Sequence, residues 1–363
     1  MNSLVLTTGG TGGHIFPALA VAEEVKARNP QARVLFVGGR YGPEGRLARA
    51  AGLEFAGLPV RGVLGRGMRA VAACAGLAAG LCRAAVLLRK ARPQVVAGFG
   101  GYAGLCPVLA GALTGVPSAV HEQNSVPGAA NKLLGKFVQK VFLTYPDERG
   151  TFPKDKTVLT GNPVRGAIRA LADEEPRRPD PGEPRLLVLG GSQGARALNQ
   201  AAAASWPELR RLGVRVRHQA GPRHLEETRA AYAAHGGEQP ESVSAFIEDM
   251  AEAYRWADLV VCRAGATTLA ELAVAGKPSV LVPFPQATHD HQTANAAFLQ
   301  RAGAATLAPQ DDLEARGIAA YALPLLADTA RLVEMGSAAR GQSHPDAAAR
   351  VVDELEKLAA KAA

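Results

Sequence analysis

The chain has 363 residues, 47% of them hydrophobic and 20% charged, with a formal net charge of +8 at pH 7. This length exceeds the usual size of one hydrophobic core, so we expect two domains, and the composition excludes a globally disordered chain. The charge is uneven: residues 1–160 carry 19 Lys and Arg against 8 Asp and Glu, whereas residues 161–363 carry 22 against 25. We therefore expect the first half to face an anionic ligand or surface.

Short apolar strands alternate with longer helical segments along the whole chain. The predicted strands are Leu4–Thr8, Val34–Val37, Val95–Ala97, Ser118–Val120, Lys140–Leu143, Arg185–Leu189, Val214–His218, Leu259–Cys262 and Ser279–Val282. The predicted helices are Pro17–Arg28, Met68–Arg92, Ala197–Arg210, Thr267–Ala275, His291–Arg301 and a last one near Asp346–Leu358. This alternation favours the α/β class with doubly wound parallel sheets.

A charged, proline-rich segment at 169–185, RALADEEPRRPDPGEPR, separates two such series and predicts a linker. After it, RLLVLGGSQGARALN repeats the strand, glycine turn and helix of the N terminus. We therefore expect two Rossmann-like domains, 1–163 and 164–340. The C-terminal helix, at about 341–363, could pack back on the first domain or on the second.

Cysteine usage and an uncharged segment bear on the compartment. The cysteines, at 74, 82, 106 and 262, form no Cys-x-x-Cys pair, which is typical of a reduced, cytoplasmic protein. The segment 93–120 has no charged side chain but is broken by Pro107 and Pro117. We interpret it as a buried strand, helix and strand rather than a membrane span.

Three glycine clusters each follow a predicted strand and open a helix: GGTGGH at 9–14, GFGGYAG at 98–104 and GGSQGA at 190–195. Glycines at such a turn let an anion approach the backbone N–H groups, where the helix dipole adds positive charge. The first cluster lacks the G-x-G-x-x-G spacing of dinucleotide sites, because Ile15 stands at the third glycine position. A nicotinamide-dependent oxidoreductase is therefore disfavoured, and tight NAD binding would be needed to support it.

The most specific segment is CRAGATTLAE at 262–271. It predicts a glycine turn after a strand and then a helix that starts with Ala266, Thr267 and Thr268. Glu271 follows four residues after Thr267 and three after Thr268, so the three side chains share one helix face. The helix start can bind a diphosphate while Glu271 accepts hydrogen bonds from ribose hydroxyls.

Seven motifs in this order resemble the nucleotide-diphospho-sugar glycosyltransferases that have two Rossmann-like domains facing across a cleft, the GT-B architecture. They are GGTGGHIFPALAVA at 9–22, GFGGY at 98–102, HEQNSVPGAANK at 121–132, GNPVR at 161–165, GGSQGA at 190–195, FIEDM at 246–250 and CRAGATTLAE at 262–271. Within this family the chain is most similar to the enzymes that extend the lipid-linked peptidoglycan precursor. The resemblance implies an inverting transfer of N-acetylglucosamine from UDP-N-acetylglucosamine to the C4 hydroxyl of undecaprenyl-diphospho-N-acetylmuramyl-pentapeptide. It also implies a peripheral enzyme at the cytoplasmic face of the cell membrane that needs no cofactor.

The resemblance further implies roles for individual residues. The donor, UDP-N-acetylglucosamine, would contact Thr11, Gly12, Gly13, Asn124, Arg165, Ser192, the backbone of Ile247, Ala266, Thr267, Thr268, Glu271 and Gln292. The diphosphate of the acceptor would lie at Gly10, Gly100, Gly101 and Tyr102. Two positions depart from the family pattern: Thr293 replaces a common second glutamine, which thins the predicted sugar contact, and Gly104 replaces a serine seen in some members.

An inverting transfer needs a general base for the attacking hydroxyl. His14 is the leading candidate because it ends the first glycine turn, and His121 together with Glu122 is the alternative. Each could instead be structural: His14 as a donor to a backbone carbonyl, His121 and Glu122 as a pair that stabilises the HEQN turn. No Asp-x-Asp pair is evident, and His289 and His291 are weak ligands on a loop, so we predict no metal.

The helical stretch Met68–Arg92 alternates apolar residues with Arg69, Arg83, Arg89 and Lys90. Between Phe55 and Pro146 the chain has ten basic residues and a single acid, Glu122; the basic residues are Arg61, Arg66, Arg69, Arg83, Arg89, Lys90, Arg92, Lys132, Lys136 and Lys140. This favours contact with an anionic membrane surface, although a core helix with solvated arginines fits the same pattern. Nucleic acid is disfavoured because few aromatic residues accompany the charge.

Two alternatives to this function stay open. One is a related transferase with another lipid acceptor, such as a diacylglycerol. The other is a sugar-nucleotide-binding subunit without catalytic activity, which is disfavoured because donor and acceptor motifs lie on one chain.

Overall fold

The structure, a computed structural model, describes residues 1–60, 70–235 and 239–361, without the side chains of residues 70–74. It divides into two compact units. The first comprises Met1–Gly166 and His344–Ala363, and the second Ala167–Ser343. Arg61, Arg66 and Arg69 of the predicted basic region, and the first two residues of the predicted helix Met68–Arg92, lie outside the described residues.

The first unit is built around a parallel sheet. Its strands are β1 (Ser3–Thr7), β2 (Arg33–Gly39), β3 (Glu54–Leu58), β4 (Val95–Gly98), β5 (Ser118–Glu122), β6 (Lys140–Leu143) and β7 (Thr157–Leu159). The order across the sheet, within the described residues, is β3-β2-β1-β4-β5-β6-β7. The helices before residue 166 are α1 (Gly12–Arg28), α2 (Glu44–Ala50), α3 (Ala70–Ala91), α4 (Tyr102–Leu113) and α5 (Ala129–Leu134).

The second unit is built around another parallel sheet. Its strands are β8 (Arg185–Leu189), β9 (Arg215–Gln219), β10 (Ser242–Ser244), β11 (Leu259–Cys262), β12 (Ser279–Leu281) and β13 (Ala305–Leu307). Over the described part of this unit the order is β10-β9-β8-β11-β12-β13. The helices from residue 166 onward are α6 (Gly166–Arg169), α7 (Arg196–Arg211), α8 (Leu225–Ala234), α9 (Met250–Trp256), α10 (Ala266–Ala275), α11 (His291–Arg301), α12 (Gln310–Arg316), α13 (Ala319–Leu326), α14 (Thr329–Arg340) and α15 (Ala347–Lys361).

The last helix, α15, packs on α1 and so belongs to the first unit. Successive side chains of a strand point to opposite faces of the sheet. Accordingly Leu4 and Leu6 of β1 pack in a core with Val351 and Leu355 of α15. Val5 of the same strand packs in a second core, which α3 and α4 cover. Both faces of the first sheet are therefore buried under helices.

The fold class expected from the sequence, two α/β units with parallel sheets, is confirmed. The segment 93–120 forms β4, α4 and β5, as predicted, and none of the helices in the described residues is long and apolar enough to cross a bilayer. The start of one helix was misplaced: α1 begins at Gly12 and not at Pro17. Proline is common at the first helical position, which misplaced the start by five residues. His14 consequently lies in the first turn of α1.

Candidate active site

The predicted site residues of the first unit lie at the carboxyl ends of three neighbouring strands. Gly10 to His14 follow β1, Gly100 to Tyr102 follow β4, and His121, Glu122 and Asn124 lie at the end of β5. These strands are adjacent in the order β1-β4-β5. In open parallel sheets, ligands bind beyond the carboxyl ends of the strands. The topology therefore brings these three groups to the edge where a ligand is expected.

The first two glycine turns pack directly on each other. The Gly9 N–H donates to the Gly100 carbonyl at 3.0 Å, and a Cβ on Gly101 would collide with the Gly9 carbonyl oxygen. Gly100 has φ +90°, and a Cβ there would lie 3.0 Å from His14 Nδ1. We predicted that an anion needs this close approach to the backbone. At Gly100 and Gly101 the space is used by the protein's own His14 ring and Gly9 carbonyl.

A buried carboxylate, missed in the sequence, supports the first turn. Glu44, the first residue of α2, is 2% exposed, and its Oε1 accepts the Gly10 N–H at 2.9 Å. We predicted that the diphosphate of the acceptor lies at Gly10, and a diphosphate bound to this N–H would have to displace Glu44. A signal for this carboxylate in the sequence is the glycine that precedes it by two residues, Gly42, because a Cβ there would collide with the Glu44 carboxylate.

His121 is held on both ring nitrogens. Its Nε2 lies 2.9 Å from the Gly161 carbonyl oxygen and its Nδ1 lies 3.1 Å from Gln123 Nε2. The ring stacks on Phe99 with centroids 5.5 Å apart, and the residue is fully buried. Burial, against the raising effect of the hydrogen bond to Gly161 and with a smaller lowering effect of the nearby His14, lowers the pKa of His121 to about 4. His121 is therefore neutral near pH 7, and its surroundings fit the structural role that the sequence left open.

Glu122 is buried on the other side of β5, where its carboxylate organises a loop. Oε1 accepts from the backbone N–H of Asn124 at 3.0 Å and from its Nδ2 at 3.3 Å. Oε2 accepts from the Gly128 N–H at 3.0 Å and from Asn131 Nδ2 at 2.9 Å. Four donors on one buried carboxylate suit a group that fixes the loop, and with it Asn124, more than a group that takes a proton from substrate.

His14 differs from these two because its side chain is partly exposed. Its Nδ1 lies 3.0 Å from Gln123 Oε1. Gln123, the residue directly after β5, was missed in the sequence. Of the candidates for the base, His14 has the geometry that suits contact with a substrate.

The other residues of the first unit that we predicted to contact UDP-N-acetylglucosamine lie around α1. Thr11 is the exposed residue before α1, and its carbonyl accepts the His14 N–H at 3.1 Å. Gly12 and Gly13 form the first turn of the helix. The Arg165 guanidinium lies 4.5 Å from the ring centroid of Phe16, also on α1, in a cation–π contact. Arg165 thus belongs to the first unit, two residues beyond the boundary that we expected at 163.

The predicted site residues of the second unit lie at the carboxyl ends of four strands. Ser192 follows β8, Ile247 follows β10, Ala266 to Thr268 follow β11 and Gln292 follows β12. Ser192 is exposed in a turn whose Gly190 N–H donates to the Gln219 carbonyl at 2.9 Å. The Ile247 N–H donates to the side chain of the same Gln219 at 3.0 Å. Gln219, which the sequence analysis missed, therefore connects the two groups, and a uracil acceptor at Ile247 N would compete with it.

The predicted ribose ligand, Glu271, is 5% exposed on α10, and its Oε2 accepts from the hydroxyl of Tyr254 at 3.0 Å. Tyr254, on α9, is another residue missed from the sequence, and it orients this carboxylate. Gln292 is partly exposed, and its Oε1 accepts the Phe284 N–H at 3.0 Å. Within the part of the chain that the structure describes, no three His, Cys, Asp or Glu side chains are grouped so that they could hold a metal ion.

Comparison with known proteins agrees with this architecture. Residues 4–143 match the glycosyltransferase family 28 N-terminal domain, and residues 185–351 match the glycosyltransferase family 28 C-terminal domain. The UDP-N-acetylglucosamine--N-acetylmuramyl-(pentapeptide) pyrophosphoryl-undecaprenol N-acetylglucosamine transferase of Nitratidesulfovibrio vulgaris (strain DP4) is 57% identical, over 99% of this chain and 98% of its own. The protein of the same name from Solidesulfovibrio magneticus is 54% identical over 99% of both chains.

A solved structure extends the likeness to three dimensions. The crystal structure of Acinetobacter baumannii MurG has a TM-score of 0.77 and 34% sequence identity, and the match covers 98% of this chain and 100% of that one. Sequence, domain models and fold therefore agree over nearly the full length, and the resemblance carried by the seven motifs is confirmed. The chain belongs to glycosyltransferase family 28.

Proposed function

We propose that this chain transfers N-acetylglucosamine from UDP-N-acetylglucosamine to the C4 hydroxyl of undecaprenyl-diphospho-N-acetylmuramyl-pentapeptide, with inversion at the anomeric carbon. The observation that carries the proposal is the 57% identity, over 99% of the chain, to a transferase named for this reaction. The product is the lipid-linked disaccharide precursor of peptidoglycan.

In the proposed reaction the acceptor oxygen forms a bond to the anomeric carbon while the bond from that carbon to the diphosphate breaks and UDP leaves. The proton of the attacking hydroxyl goes to His14. Support comes from the partial exposure of His14, set against the burial of His121 and Glu122. A positioned base of this kind accelerates a reaction by about 10²–10⁴-fold.

The second unit would bind the UDP half of the donor. The start of α10, at Ala266 to Thr268, offers backbone N–H groups and the positive end of a helix dipole to the diphosphate. Glu271 would accept hydrogen bonds from the ribose hydroxyls, and the backbone of Ile247 would contact the uracil once Gln219 releases its N–H. Ser192, Gln292, Asn124 and Arg165 would add contacts to phosphate and sugar. These assignments extend the family resemblance to the individual residues of this chain.

The lipid acceptor implies a membrane surface, and the first unit offers one candidate. Four apolar side chains on and beside α3, α4 and α5 are strongly exposed: Val86, Leu113, Leu133 and Phe137. Exposed basic residues accompany them: Arg83, Arg89, Lys90, Lys132 and Lys136. We call these nine residues the apolar–basic face. It would hold the enzyme peripherally at the cytoplasmic face of the cell membrane.

The test is a transfer assay with purified enzyme, UDP-N-acetylglucosamine and the lipid-linked muramyl pentapeptide, with diacylglycerol as the second acceptor. We expect transfer to the muramyl acceptor and none to diacylglycerol.

The role of His14 is tested with a variant in the same assay. His14→Ala should lower kcat by about 10²–10⁴-fold at unchanged donor KM. His235→Ala, at an exposed histidine of the second unit, is the matched control and should leave kcat unchanged. Transfer to diacylglycerol alone would contradict the proposed acceptor. A normal kcat in His14→Ala would contradict the assignment of His14 as the general base.

A further inference from the structure

A continuous relay of hydrogen-bonding groups, formed by Gly161, His121, Gln123 and His14, runs from the backbone to the side chain of His14. It starts at the Gly161 carbonyl, 2.9 Å from His121 Nε2. It continues from His121 Nδ1 to Gln123 Nε2 at 3.1 Å, and from Gln123 Oε1 to His14 Nδ1 at 3.0 Å. All members belong to the first unit, and Gly161, His121 and Gln123 are buried.

The hydrogen bonds of this relay have one consistent donor-to-acceptor direction. A carbonyl oxygen only accepts, so the contact with Gly161 places the hydrogen of His121 on Nε2. Because burial lowers the pKa of His121 to about 4, the ring is neutral near pH 7, and its Nδ1 carries a lone pair. Gln123 therefore donates from Nε2 to this lone pair. Its opposite end, Oε1, accepts, and His14 Nδ1 must then be the donor.

A second contact fixes the orientation of the Gln123 amide independently. Gln123 Nε2 also donates to the backbone carbonyl of His121, at 3.2 Å. If the amide were rotated by 180°, two oxygens would face each other here, and the amide nitrogen would face His14. The orientation of the Gln123 amide is therefore fixed by two acceptors, the lone pair of His121 Nδ1 and the His121 carbonyl oxygen. Both contacts require the NH₂ end of Gln123.

From this geometry we propose that Gln123 is a positioning residue that fixes the tautomer of His14 with hydrogen on Nδ1 and the lone pair on Nε2. The hydrogen bond at one imidazole nitrogen decides which nitrogen is left to act as a base. The proposal rests on His14 as the base of the proposed function. It adds that the base is prepared before substrate binds, because Gln123 is 2% exposed and the His14 ring rests against Gly100.

The test is ¹⁵N NMR of histidine-labelled protein, in which His14 is assigned by its absence in His14→Ala. We expect the wild type to show the Nδ1–H tautomer at His14. Gln123→Leu, which keeps the size but removes both polar ends, should lose that preference and lower kcat by about 10–100-fold with unchanged donor KM.

Gln139→Leu is the matched control, because Gln139 Oε1 accepts the Ser118 N–H on β5 at 2.8 Å and does not belong to the relay. It should leave the His14 signals and kcat unchanged. The signals of the other histidines of the first unit in the same spectra check that this unit is folded in each variant. An Nε2–H tautomer in the wild type, or an unchanged tautomer in Gln123→Leu, would overturn the proposal. The tautomer is read without substrate, so failure of the transfer reaction would count against the proposed function and not against this inference.

Discussion

Gly101 and Gly115 have nearly the same backbone φ angle, +77° and +79°, but different surroundings. A Cβ at Gly101 would collide with the Gly9 carbonyl oxygen, whereas one at Gly115 would meet no atom of the described structure within 4 Å. Positive φ alone costs a non-glycine residue about 1 kcal/mol or somewhat more, and overpacking adds about 1–3 kcal/mol. Gly101 also has ψ 159°, a backbone region that is essentially restricted to glycine, so both its conformation and its surroundings require a glycine.

We expect Gly101→Ala to lower the free energy of unfolding by about 2–4 kcal/mol and Gly115→Ala by about 1 kcal/mol. Urea unfolding of both variants, with the first unit followed by a spectroscopic probe, measures the difference. The larger loss at Gly101 follows from its backbone conformation and from the contact between the turns after β1 and β4. Equal losses in the two variants would show that this contact is loose.

Among the strands, those inside each sheet were predicted from the sequence and those at its edges were not. The four strands that it missed are β3, β7, β10 and β13, and these are the four edge strands of the two sheets. Central strands such as β4 and β11 are buried at every position and give continuous apolar runs. β10 is only partly buried along its length, so its sequence SVS carries no such run.

The candidate site was predictable to the same degree. Motifs led to His14 and Glu271, because these follow glycine turns at the start of helices. Gln123, Glu44 and Tyr254 were missed, because each acts through a partner that is distant in the chain: Gln123 contacts His14 across 109 residues, and Glu44 contacts Gly10 across 34. Such pairings follow from the strand order, which no local pattern contains.

The pair formed by α9 and α10 gives a prediction for donor binding. Tyr254 on α9 donates to Glu271 on α10, so its hydroxyl would hold the carboxylate in place for the proposed contact with the ribose. Glu271→Ala should raise the KM for UDP-N-acetylglucosamine about tenfold, and Tyr254→Phe about fivefold, both with little change in kcat. Steady-state kinetics with varied donor provides the measurement.

Tyr232→Phe is the matched control, because Tyr232 is also a buried tyrosine of the second unit and its hydroxyl contacts His218 at 2.9 Å. Its loss should affect the stability of the second unit and leave the donor KM unchanged. If Tyr254→Phe behaves like Tyr232→Phe, then Tyr254 does not orient Glu271 for the donor.

In the molecule as a whole, the acids of the first unit are partly collected on its last helix, α15. Arg28 pairs with Asp353 of α15 at 2.6 Å, and Lys140 pairs with Glu354 at 3.7 Å, so α15 supplies acids beside α1. The apolar–basic face lies on and beside α3, α4 and α5. The single acid between Phe55 and Pro146, Glu122, is 2% exposed and so does not offset the surface charge there.

This distribution predicts binding to anionic vesicles through the apolar–basic face. Each basic residue near an anionic surface contributes about 1 kcal/mol, so Lys132→Glu with Lys136→Glu should lower vesicle binding by at least about tenfold. Arg178→Glu with Arg211→Glu makes the same change in net charge on exposed residues of the second unit, and should lower it far less. Cosedimentation with phosphatidylglycerol vesicles measures both. Equal losses in the two variants would mean that overall charge, and not this face, attracts the protein.

Leu133→Ser with Phe137→Ser leaves the net charge of the apolar–basic face unchanged and removes two exposed apolar side chains. A loss of vesicle binding in this variant would show that apolar groups insert into the lipid.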